Sequence, residues 1–209
     1  MKTISISLYT WDELNETAKC HYWETSGLDF SGDYDGDYEN TLKTFCNAFD
    51  VSCFGWSVNA YTFQFSRTTA GRWDDCPDSP EKAERWIQKI LWNEFRDRIY
   101  TGKYFSIPGR WNSGKYSYKC RHSHIILNDS CTLTGYCSDD FIMQPLIGCL
   151  NGKETYTSPA ELFDACFTAF FKAWEADIIY CSSFEYFDKM MTENYPDACF
   201  TESGDLYEC

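Results

Sequence analysis

Residues 79–99 read Ser-Pro-Glu-Lys-Ala-Glu-Arg-Trp-Ile-Gln-Lys-Ile-Leu-Trp-Asn-Glu-Phe-Arg-Asp-Arg-Ile, the clearest helix signal in the chain. Ser79 is a favoured N-cap residue, and Pro80 at the first helical position needs no partner for its nitrogen. Apolar residues then recur every three or four positions, the period of a helix with one buried face. The predicted face consists of Ala83, Trp86, Ile87, Ile90, Leu91, Phe95 and Ile99.

Four further segments carry helix signals of the same kind. Residues 158–161 combine an N-terminal proline with a capping box, ahead of an apolar face that runs from Leu162 to Trp174. Residues 10–13 form another capping box and predict a helix that ends at about residue 23. The remaining two helices are predicted at 38–49, with Leu42, Phe45 and Phe49 inward, and after Ser182-Ser183, with Phe184, Phe187 and Met191 on one face.

Between these helices, alternating apolar and polar residues predict short strands. The predicted strands cover 3–9, 53–66 (one or two strands), 104–111 and 116–124 around a turn at 112–114, 123–127 and 131–136. No repeat or low-complexity linker is visible. Helices and strands in this order predict an α+β fold, with antiparallel sheets and about four to five helices packed on them. We expect a single domain over residues 1–209, with a loop at 67–78 as the one candidate seam.

The chain is strongly acidic, and its charge is unevenly distributed. It contains 32 Asp and Glu against 18 Lys and Arg, a formal net charge of −14. Residues 67–137 hold 12 of the 18 bases, so the negative charge lies toward the two ends of the chain. This net charge disfavours nucleic acid and anionic membranes as partners and favours basic protein surfaces. The basic middle leaves nucleic-acid contact through residues 67–137 open as an alternative.

Cysteine usage indicates a reducing compartment. The chain has 12 Cys, an even number that would suggest disulfides in a secreted protein. The first residues, however, lack the apolar stretch of a signal peptide, and Cys166 falls on a predicted buried helix face. We therefore expect free, largely buried thiols in a cytoplasmic protein. No apolar run approaches 18 residues, so no membrane span is expected.

Acidic and aromatic residues are interleaved between residues 29 and 39. This segment reads Asp-Phe-Ser-Gly-Asp-Tyr-Asp-Gly-Asp-Tyr-Glu, with five acids and no base. Its Asp-x-Asp-x-Asp core is similar to the start of a calcium loop, but Tyr38 and Thr44 stand where an EF-hand needs glycine and glutamate. We interpret the segment as a contact surface for a cationic partner. The predicted contacts are Asp33, Tyr34, Asp35, Asp37, Tyr38 and Glu39, with Asp139 and Asp140 as a second set.

One group of residues has metal-binding chemistry. Cys120, His122 and His124 would share one face of a strand, and Cys131 or Cys137 would complete a tetrahedral zinc site. The usual Cys-x2-Cys spacing is missing, so a strand with outward polar residues is the favoured interpretation. The chain also lacks a phosphate-binding loop, a nucleophile elbow and a His-Glu-x-x-His motif. We expect no catalytic activity and no cofactor, and keep a small Cys/His metal-binding enzyme as an alternative.

Four motifs resemble, in their order, a family of proteins encoded by phages and mobile elements of gut bacteria. The motifs are the opening 8–19, the acidic segment 33–39 with Phe54-Gly55-Trp56, the run 133–140, and the end from 169 to 204. They span nearly the whole chain and contain no catalytic signature, and the many cysteines and the basic middle depart from the family pattern. The resemblance implies a small protein of the bacterial cytoplasm. Such genes commonly encode inhibitors of host defence, including anti-CRISPR proteins, and family members are also labelled antitoxin-like.

Charge and resemblance together lead to one functional hypothesis. An acidic surface can mimic phosphates and occupy a basic groove that normally holds nucleic acid. The expected partner is a bacterial defence protein, either Cas9 or the Cas9–guide RNA complex, whose channels are positively charged. Association of this kind is fast and weakens as salt rises. The main alternative is an antitoxin that neutralises a basic toxin through the same electrostatics.

Overall fold

The computed structural model describes residues 6–58, 60, 62–67, 71, 73–99, 104–111, 114–121 and 133–207. At residues 67, 96–99, 104–111 and 114–121 it describes the backbone alone. After a 3-10 turn at Trp11–Glu13, the helices are α1 (Glu16–Thr25), α2 (Asp35–Phe49), α3 (Pro80–Ile99), α4 (Ser138–Leu150), α5 (Pro159–Cys181) and α6 (Phe184–Asn194). The strands are β1 (Val51–Ser57), β2 (Thr62–Arg67), β3 (Tyr104–Trp111) and β4 (Gly114–Arg121).

The α+β class with antiparallel pairing is confirmed. Within the described ranges there are six α-helices instead of four to five, and the strands form two separate hairpins, β1 with β2 and β3 with β4. The strand predicted at 123–127 lies outside the described residues. In the described part of the strand predicted at 3–9, Tyr9 forms an isolated antiparallel bridge with Phe200. Residues 133–136, the described part of the strand predicted at 131–136, form bends.

The unexpected helix is α4. Its sequence has apolar residues at helical spacing, and these are buried: Ile142, Met143, Leu146, Ile147 and Leu150. It also contains Pro145, a residue that usually ends a helix because it has no N–H group. This proline opposes the helix signal of the apolar spacing, and the structure shows that the helix continues through it.

The chain folds into two compact units. The terminal unit comprises Met1–Gly36 and Ala176–Cys209, and the central unit comprises Asp37–Glu175. The division falls within α2 and α5 and not at the expected seam, residues 67–78. The single domain over residues 1–209 stays a prediction. No helix in the described parts of the chain is long and apolar enough to span a membrane.

Aromatic residues form the core of the terminal unit. Trp11, Phe187 and Phe200 are buried, and the Trp11 ring lies edge-on to the other two at centroid distances of 5.9 and 5.5 Å. The indole Nε1 of Trp11 donates to Oδ1 of Asp188 over 2.9 Å, and Nζ of Lys19 reaches the same oxygen at 2.8 Å. The buried indole N–H thereby keeps a partner, as a polar group removed from water requires.

The predicted helix starts are confirmed in most cases. The stripe of α3 is buried at Ala83, Ile87, Leu91 and Phe95, and the predicted face of α5 is buried throughout. The 10–13 segment forms only a 3-10 turn, and α1 begins at Glu16 behind its own N-cap, Asn15. The prediction of one continuous helix over residues 10–23 is therefore wrong, because a separate helix begins after the turn, at its own N-cap.

The central unit packs aromatic residues from α2, α3 and α5 together. Trp73 stacks on Phe95 with ring planes 4° apart, and its Nε1 donates to the carbonyl oxygen of Phe49 over 2.9 Å. In the β1–β2 hairpin the register shifts between Phe54 and Ser57, where Gly55 has a φ of +59°. The shift is a β-bulge, and within it Trp56 contacts Trp174 of α5 at 5.2 Å between ring centroids.

Candidate binding surface

The acidic segment begins as a series of tight turns ahead of α2. Oδ1 of Asp29 accepts a hydrogen bond of 2.8 Å from the N–H of Ser31, and the N–H of Asp33 donates to the carbonyl oxygen of Phe30 over 3.1 Å. Asp33 and Tyr34 are exposed in these turns, and Asp35 is the half-buried first residue of α2. Local hydrogen bonds therefore present this part of the predicted surface in a defined conformation.

A buried tyrosine of α6 supports Asp33. The hydroxyl of Tyr186 donates to Oδ2 of Asp33 over 2.9 Å, although Tyr186 is only 3% exposed. The rings of Tyr34 and Tyr180 lie 6.4 and 5.2 Å from the Tyr186 ring, and these two residues are 40% and 41% exposed. The buried Tyr186 thus contacts two exposed tyrosine rings and one exposed carboxylate.

Three carboxylates gather at the same place. Burial raises the pKa of the Cys181 thiol, and the charges of Asp33, Asp177 and Asp35 raise it further. Burial also raises the pKa of the Tyr186 hydroxyl, together with its hydrogen bonds to Tyr34 and Asp33. Asp33 and Asp35 flank Tyr34 in the chain, and Asp177 lies one helical turn before Cys181 in α5. We define the acidic tyrosine surface as Asp33, Tyr34, Asp35, Asp177 and Tyr180.

Two members of this surface, and Tyr186 beneath it, were not predicted from the sequence. Asp177 and Tyr180 lie in the last turns of α5, beyond the predicted apolar face that ends at Trp174. Tyr186 and Asp33 are 153 positions apart, so no local pattern relates them. The one available signal is the three-residue spacing of Asp177 and Tyr180, which puts both on one side of a helix.

Tyr38 is a core residue of the central unit. It is 2% exposed, stacks on Trp174 at 5.1 Å with planes 9° apart, and lies edge-on to Phe170 at 5.4 Å. The prediction that Tyr38 contacts a partner is therefore wrong, because its ring faces the inward side of α2. Of its two acidic neighbours, Asp37 is half-buried and Glu39 is exposed.

Asp139 is also buried, at 0% exposure. Its Oδ2 accepts hydrogen bonds from the N–H groups of Leu133, Thr134 and Gly135 at 2.8, 2.7 and 3.2 Å. Its Oδ1 accepts from the hydroxyls of Thr134 and Thr41 at 2.7 and 2.8 Å. Five donors therefore occupy this carboxylate, and the prediction of a partner contact at Asp139 is wrong. Asp140 is exposed and stays a candidate contact.

The candidate metal ligands are only partly covered by the structure. His122, His124 and Cys131 lie outside the described residues, whereas Cys120 is in β4 opposite Phe105 and Cys137 is exposed. Among the residues with described side chains, no three or more His, Cys, Asp or Glu are grouped to hold a metal ion. The zinc site therefore stays an untested alternative to the favoured interpretation, a strand with outward polar residues.

Two ion pairs in the described part of the terminal unit join Lys19 to Asp188 at 2.8 Å and His21 to Asp205 at 3.4 Å. Neither of these pairs involves Asp33. With 32 acids against 18 bases, the chain as a whole keeps an excess of negative charge whatever pairs its side chains form.

Comparison with known proteins adds no relative. No family model, curated protein or solved structure matches this chain. The acidic tyrosine surface is therefore characterised by its own geometry, in which the exposed carboxylate of Asp33 and the exposed rings of Tyr34 and Tyr180 contact the buried Tyr186.

Proposed function

We propose that the protein is a non-catalytic inhibitor that binds a basic, nucleic-acid-binding surface of a bacterial defence protein. The partner class is a nuclease of the Cas9 type, alone or with its guide RNA, as the family resemblance implies. One observation carries the proposal: Asp33, which accepts a hydrogen bond from the buried Tyr186, lies with the exposed rings of Tyr34 and Tyr180 around that same tyrosine.

The chemistry of this surface suits arginine-rich grooves. Carboxylates pair with guanidinium groups through two parallel hydrogen bonds, as phosphates do. Exposed tyrosine rings offer a face on which a guanidinium can stack. Asp33 is already held by Tyr186, so it loses little side-chain freedom when it binds.

Salt dependence is the expected signature. Charges on two approaching protein surfaces attract one another over about 10 Å at 0.1 M salt, and more salt shortens that range. Association driven by such charges slows as salt rises, whereas dissociation changes less. The same protein pair should therefore show a lower association rate constant at high salt.

Binding to purified Cas9, with and without guide RNA, tests the proposal. Biolayer interferometry at about 50 and about 300 mM salt should show binding that is stronger at low salt. Replacing two carboxylates, in the variant Asp33→Asn/Asp177→Asn, should weaken low-salt affinity by about 10- to 30-fold, since each exposed charge pair contributes up to about 1 kcal/mol. The amide oxygen introduced by Asp33→Asn can still accept the hydrogen bond from Tyr186, so the fold is preserved.

The matched control is Glu24→Gln/Glu202→Gln, which removes the same charge at two other exposed positions of the terminal unit. Its affinity should stay within about 3-fold of the unmodified protein, because the change lies outside the acidic tyrosine surface. Undetectable binding of the unmodified protein at low salt, or equal loss in both variants, would overturn the proposal.

A further inference from the structure

The middle of the chain has a charge opposite to that of the rest. Residues 98–128 contain six Lys and Arg and no Asp or Glu, in a chain whose net charge is −14. Four of these six bases lie in the β3–β4 hairpin, namely Arg110, Lys115, Lys119 and Arg121. The hairpin therefore has no acid of its own to neutralise them.

The strand register puts all four bases on one face of the hairpin. Arg110 is paired with Lys115, Lys119 with Ser106, and Arg121 with Tyr104. Directly paired residues share a face, and so do residues two apart along one strand. One face consists of Tyr104, Ser106, Pro108, Arg110, Lys115, Ser117, Lys119 and Arg121. The other consists of Phe105, Ile107, Gly109, Trp111, Gly114, Tyr116, Tyr118 and Cys120.

This division of residues gives the two faces different roles. Antiparallel sheets commonly have one apolar face and one polar face, and the register of this hairpin separates its residues in that way. A face with four bases and no acid favours a partner rich in negative charge. We propose that the basic face of the β3–β4 hairpin binds the backbone phosphates of double-stranded DNA.

The dimensions of the hairpin agree with this partner. The major groove of DNA is about 12 Å wide and admits a two-stranded ribbon. From Lys115 to Arg121 the strand spans about 20 Å, which matches about six base pairs. The bases of β4 thus follow a length of duplex over which several phosphates are within reach.

The net charge of the chain does not prevent such binding. At 0.1 M salt the electrostatic range is about 10 Å, so a phosphate at the hairpin is influenced mainly by the charges beside it. Residues 104–121 contribute four positive charges and no negative charge to that neighbourhood. The local charge therefore decides the interaction more than the total does.

A second basic feature lies on α3 in the same unit. Arg85 and Lys89 lie one turn apart, and they line a cleft of about 410 Å³ with Gln88, Trp92 and Leu150. Lys and Arg side chains can contact backbone phosphates without reading the sequence. Arg85 and Lys89 thus add two bases to the central unit, although α3 also contains four acids.

Fluorescence anisotropy with a labelled duplex of about 20 base pairs tests the inference. If about four phosphates are contacted, the logarithm of the binding constant falls with the logarithm of salt concentration with a slope of about −3.6, an affinity loss of about 100-fold from 50 to 200 mM salt. The variant Lys115→Gln/Lys119→Gln should bind more weakly, with the slope reduced in size by about 2. Lys115→Arg/Lys119→Arg should retain both affinity and slope.

A matched control separates the hairpin from total charge. Lys172→Gln/Lys189→Gln removes the same charge from α5 and α6 and should leave DNA binding unchanged. Undetectable DNA binding at low salt, or equal loss in both Gln variants, would overturn the inference. So would sedimentation data showing a dimer of the unmodified protein that Lys115→Gln/Lys119→Gln dissociates, because the face would then dock on a second copy.

This inference does not depend on the proposed function, because the acidic tyrosine surface lies in the terminal unit. Asp33→Asn/Asp177→Asn should leave the slope of DNA binding unchanged while it weakens binding to the nuclease. Loss of one activity without the other identifies which of the two proposals has failed.

Discussion

Oγ1 of Thr41 donates a hydrogen bond of 2.8 Å to Oδ1 of Asp139, and both residues are fully buried. This contact joins α2 to the first turn of α4 within the central unit. The other oxygen of Asp139 accepts the N–H groups of residues 133–135 ahead of α4. One carboxylate therefore holds a helix, a loop and a second helix together from a fully buried position.

Replacing this carboxylate should destabilise the protein strongly. Asp139→Asn retains the size of the side chain but substitutes an amide NH2 for one acceptor, which leaves buried N–H or O–H donors without partners. Each such loss costs about 1–3 kcal/mol, so we expect the free energy of unfolding to fall by about 3 kcal/mol. Urea denaturation followed by circular dichroism measures the change.

Its neighbour Asp140 is the control for this experiment, because it is exposed on the same helix turn. Asp140→Asn should change the free energy of unfolding by less than about 0.5 kcal/mol. Equal effects of the two substitutions would show that the hydrogen bonds of Asp139 do not stabilise the fold.

Gly204 should tolerate no side chain. Its φ is +94°, and a Cβ atom built on it would overlap the carbonyl oxygen of Ala18 in the terminal unit. Gly204→Ala should therefore reduce the free energy of unfolding by about 3 kcal/mol or more, the sum of backbone strain and forced displacement of α1. Gly27→Ala, at a φ of +68° with open space around it, should cost only about 1 kcal/mol. Thermal denaturation compares the two variants, and similar shifts in Tm would contradict the close approach to Ala18.

The cap of α5 should make Glu161 an unusually strong acid. Its Oε2 accepts hydrogen bonds of 2.7 Å from both Oγ1 and N of Thr157, and these bonds lower the pKa of Glu161. A pKa lowered in the folded state means that the stabilisation is present above the unfolded-state pKa of about 4.3 and is lost as pH falls through the lower folded value. Thr157→Val removes the hydroxyl donor and should raise the pKa of Glu161.

Carboxyl chemical shifts in an NMR titration measure this pKa. Thr10→Val provides the control, since Thr10 lowers the pKa of Glu13 in the same manner and lies in another cap. It should raise the pKa of Glu13 and leave that of Glu161 unchanged. A Glu161 pKa that is the same with and without the Thr157 hydroxyl would refute the assignment.

Thiol reactivity should follow burial. Cys166 is fully buried and its pKa is raised well above the ordinary value by burial, and burial raises the pKa of Cys149 to about 11. Cys137 is exposed. Iodoacetamide at about pH 8 should modify Cys137 at least about 100-fold faster than the other two in the folded protein, because the thiolate is the reactive form. Peptide mapping by mass spectrometry measures the rates, and fast native labelling of Cys149 would contradict the prediction.

Local sequence was sufficient for much of the fold. Caps and helix periodicity act within a few residues, so they can be recognised from the sequence. They predicted the start of α3 at Pro80, its buried stripe, the apolar face of α5 and the N-cap of α6 at Ser183. The helix α4 was not predicted, and Pro145 within it is the local signal that opposes a helix. The capping box at residues 10–13 was recognised from the sequence, but the segment that follows it is a 3-10 turn and not the predicted helix.

The candidate surface was likewise predicted only in part from the sequence. The sequence by itself determined the excess of acids, their interleaving with tyrosines near residue 33 and the basic composition of residues 98–128. Only the tertiary structure decided that Tyr38 and Asp139 turn inward and that Asp177, Tyr180 and Tyr186 join Asp33. The reason is physical: charge and periodicity belong to short stretches of chain. The burial of Tyr38 and Asp139 depends on packing of the central unit, and the meeting of Asp33 with Tyr186, 153 positions away, depends on packing of the terminal unit.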